Sequence, residues 1–441
     1  MKKIHFKFVE KLDRLVRDNI IKNFLINTVS SHTISFGTEG EKSIGCAYAP
    51  LITSKQFQGE ILIEWKNGKI SKAFINPFWL HSFEKNVEEL KRSQYQDDSA
   101  KIFLKPSKIE KLSAQEDPSI EKNLYNLDKE IISRVKKIKE WGKSIREKST
   151  HVNIAVSTHE NVLSNSKGLT LTQRETEVEE IVSLGQFYGF DIEERKLEGL
   201  KKEKKHIERA ETFYKILKKR IKKHRLLGNF EIILFPYVFS KLLSYFLISN
   251  ITAESIYYKK SKYKIEDFKN MLKIAKSGFS LTVYPKANMK IGAEDFSPEG
   301  WIYPDSCTFV KDGKLQKPIT PLRYANLMKI SPTPPINSLR LLNFGKIEKS
   351  LSLEEVIMCV KNGLLVTEIL GLHTQDSTTG NFSLVCPMTI LINNGELEGR
   401  VDCMIRGNFF NLLKSIERIY KDPLTELPFI KTQNTEIEVA I

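Results

Sequence analysis

Residues 230–243 read FEIILFPYVFSKLL. From Phe230 to Phe235 a single glutamate interrupts β-branched, leucine and aromatic residues, which predicts a short buried strand. Pro236 follows at once. Proline has a fixed φ and no N–H, so it suits a first helical turn, where that N–H has no partner anyway. The chain is therefore expected to pass directly from strand to helix at Phe235–Pro236. Chemistry is often placed where loops and element ends are held by a rigid scaffold. Two readings are open for this helix, in which Lys241 is the only charge before Leu243: a place for chemistry, or plain core.

A chain of 441 residues exceeds one ordinary small domain and points to two or three. With 41% apolar and 28% charged residues, it can build a sizeable core. No apolar run approaches the ~18 residues needed to cross a bilayer; the stretch Leu242–Ile251 is broken by Ser244, Ser249 and Asn250. The opening MKKIHFKFVEKLDRLV starts like a secretion signal, but Glu10, Asp13 and Arg14 interrupt where an apolar segment should follow. The cytoplasm is the expected compartment. Five cysteines, Cys46, Cys307, Cys359, Cys386 and Cys403, show no CxxC spacing and read as buried free thiols. The net charge of +15 comes mostly from lysine in a chain also rich in Ile, Asn and Ser. A compositional bias accounts for it as well as nucleic acid does.

Ahead of the strand, a helix is expected over about Val9–Ile26, then a glycine-rich loop, SFGTEGEKSIGCAYAP. Ile61–Asn76 reads as a hairpin around Asn67-Gly68. A helix near Phe83–Ser93 precedes an irregular stretch over 94–121. Leu124, Leu127, Ile131, Val135, Ile138 and Ile145 form one apolar stripe of a long helix ending before Thr150. Val152, Ile154 and Val156 alternate as a strand, and a further strand pair turns at Ser166–Gly168. Lys201–Arg225 holds twelve Lys or Arg against three Glu, with an apolar stripe of Ile207, Ala210, Tyr214, Leu217 and Ile221. It reads as an amphipathic helix with a solvated basic face, with His206 and His224 on that face, and Gly228 ending it. Beyond Phe235, Ser352 and Glu355 form a capping box for a helix reaching about Lys361. Residues 363–422 then parse as strand, polar loop, strand, an Asn394-Gly395 turn, strand, and a helix from about Asn408. TEIEVAI is expected as a last strand.

Eight histidines include no HExxH pair, and the phosphate-binding glycine motifs are missing. His373 lies in GLHTQDSTTGNF with Gln375, Asp376, Ser377, Thr378 and Thr379. A hydrolase centred on His373 and Asp376 is conceivable, but no G-x-S-x-G elbow accompanies it. A hydrogen-bonded polar loop is the plainer reading. Glu294, Asp295 and Glu299 read as a surface turn rather than a metal site.

GLLVTEILG, the T-G-N-F-S run at Thr379–Ser383, NNGELEG and RGNFFNLLKSI at Arg406–Ile416 stand in an order and spacing that resemble the TldD/PmbA family of metallopeptidase-like proteins, in its TldE (PmbA) branch. Asn165–Gly168 resembles that family's N-S-x-G turn, and Glu299-Gly300 keeps part of its D-D-E-G segment. The resemblance covers about residues 120–441. In the TldD branch the corresponding helix carries H-E-x-x-x-H, whose histidines bind zinc and whose glutamate activates water. Aligned on the strand, this chain has Pro236 and Tyr237 in place of His-Glu and Lys241 in place of the second His. No cysteine follows Cys403 to supply the further ligand that TldD-type chains carry near the C-terminus.

The resemblance implies an α+β protein of two domains. Residues 1–227 would pack hairpins with long helices; residues 228–441 would form a mainly antiparallel, barrel-like sheet with helices. It implies a zinc-less subunit, with no catalytic or metal-binding residue of its own. Zinc would sit on a TldD-like partner in a heterodimer that admits unfolded or short peptides. His373, Gln375, Asp376, Thr379, Gly380 and Asn381 would line part of the peptide cavity. The alternatives are a self-standing homodimer that binds peptides, a non-metal hydrolase using His373 and Asp376, and a nucleic-acid binder using Lys201–Arg225; the last lacks the aromatics or the reading module such proteins add. No membrane partner is expected.

Overall fold

The computed structural model describes residues 2–39, 42–44, 51–106, 112, 115–147, 149–185, 187–221, 230–433 and 437–440. Alternating sequence builds the first sheet from β1 (Ile21–Glu39), β2 (Lys42–Ile44), β3 (Leu51–Trp65), β4 (Ile70–Ile75), β5 (Thr150–Asn165), β6 (Thr170–Leu184) and β7 (Phe187–Glu194). The order is β4-β3-β1-β5-β6-β7, with β2 beside β1, and every pair is antiparallel. Both expected turns form. Gly68 and Gly168 take φ of 80° and 84°, the left-handed region that glycine enters without a Cβ clash. The Asn165 side chain accepts from the N–H groups of Lys167 and Leu169 at 2.8 and 3.3 Å.

One face of β1 and β3, with Phe24, Ile26, Ile61 and Ile63, packs under α1 (Lys2–Arg17) and α2 (Phe83–Arg92). The first helix is thus earlier and shorter than the expected Val9–Ile26. Asn19, at φ 61°, ends it, a conformation asparagine tolerates better than most residues. The β-branched alternation after Ile20 then favours strand. The rest of the glycine-rich loop at 40–41 and 45–50, Cys46 included, lies outside the described residues.

After the short α3 (Pro118–Asn123), α4 (Asp128–Ser144) carries the long apolar stripe. Ile131, Val135 and Ile138 are buried with Val152, Ile154 and Val156 of β5. α5 (Glu203–Leu217) buries Ala210, Tyr214 and Leu217. His206 is not on its exposed face: it is 4% exposed and lies 5.7 Å from the Phe190 ring. Burial, helped by the Arg209 charge, lowers its pKa to about 4, so the ring is neutral at pH 7. Lys222, Lys223, His224, Arg225 and Gly228 lie outside the described residues.

The second half begins with β8 (Glu231–Leu234), which feeds α6 (Pro236–Leu242). A small sheet, ordered β11-β10-β9-β12, joins β9 (Phe279–Val283), β10 (Cys307–Lys311), β11 (Lys314–Leu315) and β12 (Leu342–Gly345). The large sheet adds β13 (Glu348–Lys349), β14 (Asn362–Val366), β15 (Asn381–Asn393), β16 (Glu396–Asn408), β17 (Ile419–Lys421), β18 (Pro428–Gln433) and β19 (Ile437–Ala440). Its order is β13-β17-β18-β8-β14-β15-β16-β19. It is antiparallel except where β8 pairs with β14 and β13 with β17, and it is open, ending at β13 and β19. The Ser352–Glu355 capping box forms with both bonds, at 3.2 and 2.7 Å. Its helix stops at Met358, short of Lys361.

The expected α+β class holds. The expected boundary at 227/228 lies outside the described residues, and one apolar core joins residues from both sides of it, including Ile154, Val178 and Leu217 with Ile232, Phe239 and Leu365.

Candidate functional site

β8 lies between β14 and β18, and Ile232, Ile233 and Leu234 are fully buried. The Phe235 N–H donates to Val366 O at 3.0 Å, extending the pairing by one residue. Pro236 then opens α6, as the sequence predicts. Val238, Phe239 and Leu242 fill the core, and the helix widens into a π turn over Leu243–Ile248. Tyr237 is 52% exposed. The Lys241 ammonium stands 4.1 Å above the centre of its ring, a cation–π contact between residues one helical turn apart.

Zinc takes thiolate, imidazole or carboxylate donors. This junction offers a pyrrolidine ring, a phenol and an ammonium, so its donor set does not fit the metal. Among the described residues, no three His, Cys, Asp or Glu side chains gather as a metal would require.

The loop around His373 rests on the same helical run. Its Gln375 carbonyl accepts from the Tyr245 hydroxyl, and the Ser377 carbonyl accepts from Asn250 Nδ2 at 2.9 Å. At about 1.5 Å per residue, Tyr245 lies roughly 12 Å beyond Tyr237 along the helix. Thr379, Gly380 and Asn381 are tied to the next element: Asn408 Nδ2 donates to Thr379 O at 2.9 Å and to Asn381 Oδ1 at 2.7 Å. Gly380, at φ 76°, lies against the Phe410 ring with no room for a Cβ. Asp376 is exposed and accepts from the Thr378 hydroxyl and N–H at 2.7 and 2.8 Å, which hold its carboxyl below the ordinary range. His373 is exposed and has no hydrogen-bond partner among the described residues, Asp376 included. The loop thus brings the predicted residues together as a stitched surface and forms no His–Asp relay.

The two glycine motifs meet across the two halves of the chain, a contact that sequence order does not show. Gly300 (φ 88°) sits on the Asn165–Gly168 hairpin, where a Cβ would come 2.6 Å from Leu169 and 3.1 Å from Leu163. Phe296 joins the same apolar cluster. The acidic residues beside it are not a surface turn: Asp295 is fully buried, and its N–H donates to Gln173 of β6 at 2.9 Å. Only the shared need for glycine in both motifs hinted at this contact. Beside it opens a groove of about 900 Å3 between one face of β1, β3 and β4 and the separate segments that carry Glu299 and Arg323.

Three cysteines are buried as expected, Cys307, Cys386 and Cys403, with Cys386 and Cys403 directly opposite each other on β15 and β16. Cys359, at the end of a helix, is exposed instead.

Fold and junction together define a class: an α+β protein of open sheets whose buried strand-to-helix turn offers no zinc donor. Residues 227–437 match the PmbA/TldA metallopeptidase C-terminal domain, so the second half of the chain is a domain of that family. Three solved structures share the fold over nearly the whole chain. A proposed modulator of DNA gyrase from Bacteroides thetaiotaomicron matches at 20% identity and a TM-score of 0.74, covering 98% of both chains. TldE from Thermococcus kodakarensis matches at 19% and 0.72, covering 98% of this chain and 100% of its own. A proposed modulator of a DNA gyrase from Thermotoga maritima matches at 19% and 0.72, covering 99% of both. No curated protein matches the chain. Among the described residues, no helix is long and apolar enough to cross a membrane.

Proposed function

We propose that this chain is a zinc-less subunit of the TldE kind, working with a TldD-like zinc peptidase in the cytoplasm. It shapes the cavity in which unfolded or short peptides are held, and the partner cleaves them. One observation carries the reading: the strand-to-helix turn, where the resemblance to the TldD branch would put the zinc ligands, holds a buried proline and a tyrosine capped by a lysine ammonium. A lysine ammonium there repels a divalent ion, and a phenol is not the carboxylate that would activate a zinc-bound water. Bound zinc lowers the pKa of its water and polarises a carbonyl; in this reading that chemistry belongs to the partner.

The loop bearing His373, Gln375, Asp376, Thr379, Gly380 and Asn381 serves as a cavity wall. Its anchoring to Tyr245, Asn250 and Asn408 would fix its shape against a bound peptide. The hydrolase alternative has less support, because the Asp376 carboxylate is engaged by Thr378.

The test is metal analysis and proteolysis of unfolded casein fragments, with the chain alone and with a TldD-like chain from the same genome. The expected result is no stoichiometric zinc and no cleavage alone, and chelator-sensitive cleavage once the partner is added. One tightly held zinc per isolated chain, with chelator-sensitive cleavage, would end this reading. Chelator-insensitive cleavage that disappears in His373→Ala would favour the hydrolase.

A further inference from the structure

β4 lies at one edge of the first sheet, and β7 at the other. Antiparallel bonding alternates along a strand. Trp65 N–H bonds to Lys69 O at the hairpin, so Ser71, Ala73 and Ile75 bond to β3 while Ile70, Lys72 and Phe74 point outward. Ile70 exchanges both backbone bonds with Tyr95, at 2.9 and 3.0 Å. There the covering stops. Among the described residues, the outward backbone groups of Lys72 and Phe74 have no partner.

Unprotected edges are sites for strand addition, and here the edge borders the groove of about 900 Å3. Two aromatic side chains stand at that border, Phe74 at 85% and Phe78 at 77% exposure. The charges around the groove balance in number, Lys55, Lys72 and Arg323 against Glu60, Asp97 and Glu299, with Lys72 bound to Glu60 at 3.0 Å and Arg323 to Asp97 at 2.8 Å. A ligand is therefore selected by free backbone donors and acceptors and by apolar surface, not by net charge.

We propose that this edge binds an extended, uncharged peptide segment of about five residues, which continues the line begun by Tyr95 and pairs with Lys72 and Phe74. Peptide side chains on the groove side lie against Phe74 and Phe78, and main-chain bonds supply affinity with little sequence preference. The proposal rests on the peptide-binding reading above and adds a holding site away from the β8–α6 junction.

The probe is a fluorescein-labelled, uncharged, unfolded casein peptide, titrated by anisotropy into the full chain without a partner. Two versions N-methylated on alternate residues, one for each edge of the peptide, complete the set. One N-methylated version should bind about tenfold more weakly, as expected for two lost hydrogen bonds, and the other like the parent. Phe74→Glu and Phe78→Glu, both at exposed positions, should weaken the parent peptide by at least as much with unchanged circular dichroism. Equal binding by both N-methylated peptides overturns the proposal, as does wild-type affinity in Phe74→Glu. A dimer that Phe74→Glu converts to monomer also overturns it, since a second copy would then own the edge. The two readings fail separately: zinc on the isolated chain sinks the subunit role, whereas a zinc-free chain whose peptide binding ignores Phe74 sinks only the edge.

Discussion

Glu180 points from β6 into the core, with both carboxylate oxygens buried and unbonded. Burial, reinforced by the nearby Glu203 carboxylate and opposed by Arg134 and Lys137, raises its pKa to about 8. An unfolded glutamate titrates near 4.3. Between these values the folded chain holds a proton that the unfolded chain has lost, so stability falls as pH rises from about 4.3 to 8 and levels off above. Glu180→Gln should abolish that slope, which is at most about 1.4 kcal/mol per pH unit. Urea unfolding of both proteins at pH 5, 6.5 and 8 measures it; parallel curves would mean that the carboxyl is ionised in the fold. At the junction, Lys241→Ala should lower stability by only about 0.5–1 kcal/mol, the worth of one exposed cation–π contact. A larger loss in urea would mean that the lysine has a structural role beyond Tyr237.

The elements around the polar loop depend on the Asn408 side chain and on the space that Gly380 leaves for the Phe410 ring. Asn408 caps the helix Phe409–Ser415 by accepting from the N–H groups of Phe410 and Asn411, each at 3.1 Å, and its amide also holds Thr379 and Asn381. Asn408→Ala should cost about 1–2 kcal/mol in chemical denaturation, the ordinary range for a lost cap. Gly380→Ala should cost more, because it adds positive-φ strain to an overlap with Phe410. If Gly380→Ala is neutral, the loop is not seated on that ring. At this scale the sequence was readable wherever a signal is local. Asn67-Gly68, Asn394-Gly395, Ser352–Glu355 and Pro236 each set the backbone within a few residues, and each appears where expected. The first helix was misplaced because apolar periodicity over Val9–Ile26 outweighed the single breaking residue, Asn19, and the β-branched run behind it.

Across the whole molecule, Arg209 of α5 binds Glu354 at 2.6 and 2.9 Å and Asp422 at 2.8 and 3.1 Å, joining the two halves of the chain. Asp422 is fully buried, and the guanidinium keeps its carboxyl below the ordinary range despite burial. Arg209→Ala should cost about 3–5 kcal/mol, since it strands a buried charge. Arg209→Met with Asp422→Leu should recover most of that. Equal losses in the single and double variants would show that packing, not the charge, is responsible. Because one core runs through both halves, far-UV circular dichroism and the fluorescence of the four tryptophans should report a single, coincident unfolding transition. Two separated transitions would show that the two halves unfold as independent domains.

The sequence by itself determined the turns, the caps and the strand-to-helix passage at Phe235–Pro236, because backbone sterics act within a few residues. Tertiary structure alone decided that His206 is buried, that Asp295 faces Gln173, that Gly300 rests on the Asn165–Gly168 hairpin, and that β4 keeps an open edge beside a groove. Each of these depends on contacts between residues far apart in the chain, and burial at such contacts is set by how the layers pack rather than by any neighbouring residue.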